Sequence, residues 1–232
     1  MGRARDLANF GSNGRINGNI GVNVDPTAPL HVESPDNSDI MRMTVTGNEM
    51  WAFRGASGTG SNDYVSFGIH NNGTQAVEFH ETGIVKNPNQ PCFHAYPATT
   101  TTVLNTTNAT WEKLPFDATA WDVGNNFNTT NKRFTAPVTG MYLMNWMFQI
   151  ENPNLIVWMY AYPIVNGSQA MNRPKGVVFA DFRVFEDYHA ESGSWIMKLS
   201  ANDYVEMHAI MSASGSTKNF KEESFWSGYL LG

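Results

Sequence analysis

The 232-residue chain is 41% hydrophobic and 12% aromatic but only 16% charged, with a formal net charge of −6. Such a composition supports a sizeable core, while the charged fraction sits well under the ~25% of ordinary soluble domains; Asn and Thr replace the charges, and both favour turns and strands over helix interiors. The acidic balance, with only Arg3 and Arg5 grouped near the start, excludes nucleic acid recognition by phosphate neutralisation, and a lone cysteine, Cys92, excludes an intramolecular disulfide or a Cys-based zinc centre.

Three textures follow one another. Residues 1–33 open with "RARDLANF", one or two helical turns, and continue as "GSNGRINGNIGVNVDPTAPLHV", dense in Gly and Asn and closed by Pro26 and Pro29. This segment buries little by itself. No apolar h-region marks residues 1–20 as a secretory signal, and no run reaches the 18 apolar residues of a membrane span. The expectation is a protein that is not exported conventionally and does not insert into a membrane.

Residues 34–90 hold short alternating runs. "MRMTVTG" sets Met41, Met43 and Val45 against Arg42, Thr44 and Thr46, and "DYVSFGIHNNGTQAVEF" reads as a hairpin turning at Asn72-Gly73, a strong type I′ signal. The apolar faces are narrow, so the segment is a marginal independent domain, and copies of the same segment would supply the missing core.

Residues 91–232 carry Trp111, Trp121, Trp146, Trp158, Trp195 and Trp226, six of the chain's seven tryptophans. Strands are expected over 111–116, 134–150, 155–165, 177–185, 194–199, 203–211 and 223–231, with turns at Asn166-Gly167, Ser192-Gly193 and Ser214-Gly215. Many strands without a long amphipathic helix predict an all-β sandwich or barrel.

Two strands have unusual faces. "MYLMNWMFQI" places Tyr142, Met144, Trp146, Phe148 and Ile150 opposite Met141, Leu143, Asn145, Met147 and Gln149, and "LIVWMYAYPIV" places Ile156, Trp158, Tyr160, Tyr162 and Ile164 opposite Leu155, Val157, Met159 and Ala161. A sandwich strand normally has one apolar and one polar face. Each large aromatic carries about 150–250 Å², so three left in water would reach the roughly 300–600 Å² of the largest patch on a typical monomer. The second face therefore calls for cover, from another subunit or from the N-terminal region of the same chain. Tyr142, Trp146, Trp158, Tyr160, Tyr162, Phe225 and Tyr229 are the candidate interface residues. "DYVEMHAIM" alternates more ordinarily, with Val205, Met207, Ala209 and Met211 inward and Glu206 and His208 outward.

Catalytic and metal chemistry find little footing. The six histidines show no His-x-x-x-His or His-Glu-x-x-His spacing, and no nucleophile elbow or P-loop occurs. "DFRVFEDYHAE" gathers carboxylates that a hard cation would accept, but it reads better as a solvated loop. Cys92 beside Phe93 and His94 reads as a small buried residue rather than a nucleophile. The expectation is no enzyme, no cofactor and no metal. Binding loops at the ends of a sandwich are the natural place for recognition. There Trp121, with Asp122, Asn125 and Asn126, either offers an aromatic platform beside amides or plugs its loop into the core, and Tyr188 with His189 forms a second candidate.

"FNTTNKRFTAPVTGMYLMNW" explains these features together. Phe134, Ala136, Pro137, Gly140 and Tyr142 stand as in the Phe-x-Ala-Pro-x-x-Gly-x-Tyr signature of the C1q/TNF-like jelly roll, which the stretch resembles. Pro137 fixes φ and ends one pairing, and Gly140 supplies a turn that a Cβ would resist. "YPIVNGSQ", "SGSWIMKLSANDYVEMHA" and "ESFWSGYLLG" are similar to the family's later strands in the same order. Asn202 stands where the family has Gly before Asp203, and Asn tolerates the left-handed conformation. The resemblance spans 91–232 and implies a trimer.

Upstream, "ARDLANFGSNG" and "NGNIGVNVDPTAPLHV" resemble the lead-in of tail fibres and other virion proteins of phages, cyanophages especially. Together the resemblances imply a homotrimeric phage tail fibre: a virion-docking segment at 1–33, a short-stranded trimeric β-stem at 34–90, and a C1q-like jelly-roll head at 91–232. The head would bind a host surface glycan or protein, and the N-terminal segment other virion tail or capsid proteins. The protein would be made in the host cytoplasm and reside on the virion. The alternative is a purely structural trimerisation clamp or capsid decoration without a receptor.

Overall fold

The computed structural model describes residues 20–22, 30–32, 39–44, 50–57, 64–71, 74–80, 82–99, 101–105, 111–151, 156–167, 188–213 and 217–232. The chain divides into two compact units, Met1–Pro88 and Asn89–Gly232. All regular structure among the described residues is β. The expected strand at 177–185, residues 181–187 of the carboxylate-rich stretch and the turns at Asn72-Gly73 and Ser214-Gly215 lie outside them; residues 188–191 of that stretch are strand rather than loop, and the turn expected at Ser192-Gly193 is corrected, since one strand runs from Tyr188 to Leu199.

In the first unit, β1 (Ile20–Val22) and β2 (Leu30–Val32) form a short parallel pair. β3 (Asp39–Thr44), β4 (Met50–Ser57), β5 (Tyr64–Asn71), β6 (Thr74–His80) and β7 (Val85–Lys86) follow as an antiparallel meander in sequence order. β5 and β6 pair down to Asn71 opposite Thr74, the two-residue hairpin the sequence predicts. The sheet shields Ala52, Gly68 and His70 but leaves Phe79, Ile84 and Val85 41%, 55% and 54% exposed.

The second unit is a two-sheet sandwich, a C1q/TNF-like jelly roll. The larger sheet contains β8 (Cys92–Tyr96), β9 (Thr101–Asn105), β11 (Ala118–Val123), β14 (Gly140–Glu151), β16 (Tyr188–Leu199), β18 (Thr217–Phe220) and β19 (Phe225–Leu230). Its order is β11-β8-β19-β14-β18-β9, with β16 on the free side of β14. The smaller sheet contains β10 (Glu112–Lys113), β12 (Phe127–Asn128), β13 (Arg133–Thr135), β15 (Ile156–Val165) and β17 (Tyr204–Ala213), with β17 central. All pairings in both sheets are antiparallel.

The core between the sheets is aromatic. Phe93 stacks on Phe127 and Phe134, with centroids 5.0 and 4.8 Å apart, and meets Trp226 edge-on at 5.0 Å. Trp146 stacks on Phe148 at 4.6 Å and Trp195 at 5.3 Å. Tyr142, Met144, Trp146, Phe148 and Ile150 of β14 all point into this core. The expectation that Tyr142 and Trp146 line a subunit interface is corrected: the second sheet of the same chain covers them, being the nearest apolar surface.

The single strand expected over 134–150 is broken between β13 and β14, where Pro137 removes a donor from the ladder. Tyr142 returns to this corner, donating its hydroxyl to the Val138 carbonyl at 2.7 Å, and its ring meets Phe134 edge-on at 5.5 Å. Gly140 is required for a different reason from the one expected. Its φ is not positive. A Cβ there would stand 2.6 Å from Leu230 Cδ1 and 3.0 Å from the Gly232 carbonyl oxygen, so the C-terminal strand needs the space. Asn202 does take the left-handed conformation, at φ 70°, as does Asn166 at 53°.

Candidate functional site

Because the inner residues of each strand serve the core, the two outer faces of the sandwich are the surfaces available for recognition. Strand alternation fixes which residues they carry. On the larger sheet, Leu143 lies between Ile196 of β16 and Tyr229 of β19, and Met147 lies opposite Phe225. Ser227 lies opposite His94, which in turn lies opposite Trp121. The His94 ring is sandwiched between Trp121 at 4.5 Å and Phe225 at 5.2 Å, each nearly parallel to it. Its Nδ1 is 2.7 Å from Ser227 Oγ. Burial pushes the imidazole below its ordinary value. Ile196 is 59% exposed, Trp121 54%, Tyr229 45% and Met141 39%. These residues form one largely apolar band with Ser and Asn between them and the exposed Lys198, opposite Met141, at its margin.

Phe225 and Tyr229, proposed from sequence as interface residues, therefore share a face, and the structure brings Trp121 onto it as well. Trp121 is neither a loop-end platform nor a core plug but the outermost ring of a ladder across β11, β8 and β19. Its sequence neighbours are otherwise engaged. Asp122 accepts the Asn126 and Phe127 amides at 3.0 and 2.9 Å, and Asn126 Nδ2 donates to the Val123 carbonyl at 3.0 Å. Asn125 is exposed, with φ 55°. The carboxylate and one amide thus hold the loop in shape.

Trp158 and Tyr160 lie on β15 opposite Ser212 and Ile210, and their side chains are outside the described residues. Tyr162 belongs to the smaller sheet, with its ring 5.2 Å from Trp111. The seven candidate interface residues therefore do not form one surface. Tyr188 and His189 open β16 opposite Glu151 and Ile150, and nothing further is described of them. Cys92 is half-buried and a free thiol; burial raises its pKa, against a lowering hydrogen bond with the Val123 backbone.

The outer face of the smaller sheet differs in character. Val205, Met207 and Ala209 point inward as predicted, and Glu206 and His208 outward, yet Glu206 is only 5% exposed. Lys113 Nζ donates to Glu206 Oε1 at 2.7 Å, and Arg133 donates to the same oxygen from Nε at 2.9 Å and Nη2 at 2.7 Å. His208 Nε2 is 3.0 Å from Oε2. Burial alone would raise this carboxyl, but the hydrogen bonds from Lys113, His208 and Arg133 outweigh it and hold the group at about 2. The Arg133 guanidinium also lies 3.6 Å over the Tyr204 ring. Nothing in local sequence announces this network, because Lys113, Arg133 and Glu206 belong to three strands distant along the chain. Among the described residues no group of three or more His, Cys, Asp or Glu is placed to hold a metal ion.

The C1q domain family model matches residues 95–231. Similar solved structures include the globular domain of a zebrafish complement 1qA protein, at 16% identity and TM-score 0.46, covering 62% of this chain and 98% of that one. Murine APRIL at pH 8.5 is 10% identical, with TM-score 0.44 and coverage of 61% and 99%. The Eiger TNF structure from S. frugiperda is 14% identical, with TM-score 0.41 and coverage of 61% and 91%. Comparison with curated proteins gives no match.

Proposed function

The chain belongs to the C1q domain family, matched over more than half its length, and from that premise we propose that it is a homotrimeric phage virion fibre protein whose head binds the host cell surface. The observation that carries this reading is the apolar outer face of the larger sheet. Ile196, Trp121, Tyr229 and Met141 are 39–59% exposed on one largely apolar band, with Lys198 at its margin. A monomer rarely leaves so much contiguous apolar surface in water, whereas copies packed against one another would remove it.

The exposed Phe79, Ile84 and Val85 of the first unit point the same way. The resemblance of residues 1–33 to phage fibre lead-ins supplies the virion context, with docking to other virion tail or capsid proteins and a location on the particle after synthesis in the host cytoplasm. Three heads on one fibre would turn weak contacts into firm attachment through effective concentration. In this reading the head is a binding domain and not an enzyme.

Light scattering on the purified protein tests assembly: three chains of 25.8 kDa are expected, and a single-chain mass at micromolar concentration overturns the reading. Labelled protein should also adsorb to host cells and compete with phage. A second reading, a structural clamp or decoration without a receptor, draws on Asp122 and Asn126, whose polar groups are spent on their own loop. A trimer that fails to adsorb would favour it.

A further inference from the structure

We propose that the outer face of the smaller sheet binds a carboxylate-bearing saccharide, with Lys113 and Arg133 taking the acid and the Trp111–Tyr162 ring pair taking the sugar ring. The inference deepens the host-binding reading and rests on it. Its first support is charge. Two cations converge on a single carboxylate, so Lys113, Arg133 and Glu206 together carry one excess positive charge whatever the state of His208. They do so in a chain whose net charge is −6. Among the described residues, Glu206 is the only carboxylate shown pairing with either cation.

Glu206 also leaves donors unused. Arg133 commits Nε and one Nη2 hydrogen to it, out of five N–H donors. Lys113 commits two of its three, to Glu206 and to the Asn131 carbonyl at 3.1 Å. The buried carboxylate thus fixes a guanidinium fork whose remaining edge is suited to a planar anion.

The second support is position. Lys113 and Tyr162 lie opposite His208 on its two sides, so a strand spacing of about 4.8 Å puts them about 10 Å apart on one face. Trp111 lies 5.2 Å from Tyr162, ring centre to ring centre. Flat apolar rings beside a few fixed polar donors match a saccharide, which presents C–H faces together with one acidic group.

The third support is division of labour. The largely apolar band on the larger sheet suits contact between copies, and assembly through it would leave the outer face of the smaller sheet accessible.

Calorimetry on the full chain, with trigalacturonate as the acidic probe and maltotriose as the neutral one, tests the inference. Trigalacturonate should bind at least about tenfold more tightly, an advantage that shrinks as salt rises. Lys113→Gln, which leaves Arg133 on Glu206, should lose about tenfold for trigalacturonate alone, and Trp111→Ala several-fold for both sugars. Equal binding of the two sugars, or parent-like binding by both variants at parent-like mass and melting temperature, overturns the inference. If pentaglutamate binds as tightly and Trp111→Ala leaves that unchanged, the occupant is an acidic peptide and the saccharide assignment falls. A parent protein of three-chain mass that binds no sugar defeats this site alone; a single-chain mass defeats the fibre reading itself.

Discussion

A single oxygen of Glu206 accepts two hydrogen bonds from Arg133, from Nε at 2.9 Å and Nη2 at 2.7 Å. The two residues are 73 positions apart in sequence. This pair joins β13 to the outer side of β17, and with Lys113 it also ties in β10. The link makes the acid stability of the head depend measurably on one carboxylate.

The folded-state value of Glu206, about 2, lies below the ordinary 4.5. A depressed carboxyl contributes stability that is fully present above pH 4.5 and is lost as pH falls towards 2. That contribution is at most about 3 kcal/mol, from roughly 1.4 kcal/mol per pKa unit. Denaturant midpoints measured between pH 6 and pH 2.5 should fall more steeply for the parent than for Glu206→Gln. The variant should be destabilised at neutral pH, because it leaves two cations facing each other across a neutral amide. Parallel acid profiles for the two proteins would refute this account.

His94 should give a second, separate pH response. Its pKa is lowered by burial from 6.5, so the folded head binds that proton less readily than the unfolded chain does. Stability is then full above about pH 6.5 and declines as pH falls below it. The faces of Trp121 and Phe225 attract an imidazolium and offset part of the loss. Cys92, Tyr96 and Tyr229 share that face of β8 and β19, and the Asp122 carboxylate of β11 is spent on the Asn126 and Phe127 amides. His94→Phe keeps the ring ladder and should flatten the profile between pH 7.5 and 5. An unchanged slope would show that the ring is indifferent to its proton.

Gly140 and Tyr142 test the corner between β13 and β14. Gly140→Ala introduces a methyl against Leu230 and the Gly232 carbonyl, and overpacking of this kind costs about 1–3 kcal/mol. Tyr142→Phe removes only the hydroxyl that reaches Val138, worth about 1 kcal/mol. Thermal denaturation should rank them in that order. A Gly140→Ala protein as stable as the parent would mean that the C-terminal strand yields at no cost.

Assembly and folding are separable at Ile196. The residue is 59% exposed in one chain, so Ile196→Asp should leave the circular dichroism spectrum and the core unchanged. It would place a carboxylate within the proposed contact between copies, and the mass by light scattering should drop from three chains to one. Retention of the three-chain mass would move the contact to another face.

The opening prediction from sequence, an all-β sandwich with a corner at Pro137 and turns at Asn166 and Asn202, rested on local chemistry. Strand alternation, a missing amide hydrogen and tolerance of positive φ act within a few residues, so they are legible in the chain itself. The hairpin between β5 and β6 was legible for the same reason. Whether an apolar face meets its own second sheet or another copy is not a local property. Tyr142 and Trp146 read as interface residues because both faces of β14 are apolar, and only the packing of the smaller sheet over them showed which face is inside. His94 read as an ordinary histidine and Ile196 was given no role, because their significance comes from neighbours on other strands. Glu206 was correctly expected to face outward, but its burial beneath Lys113 and Arg133 depends on three strands meeting. Backbone preference is set by each residue and its immediate neighbours; partnership between side chains is set only when the tertiary fold brings distant strands side by side.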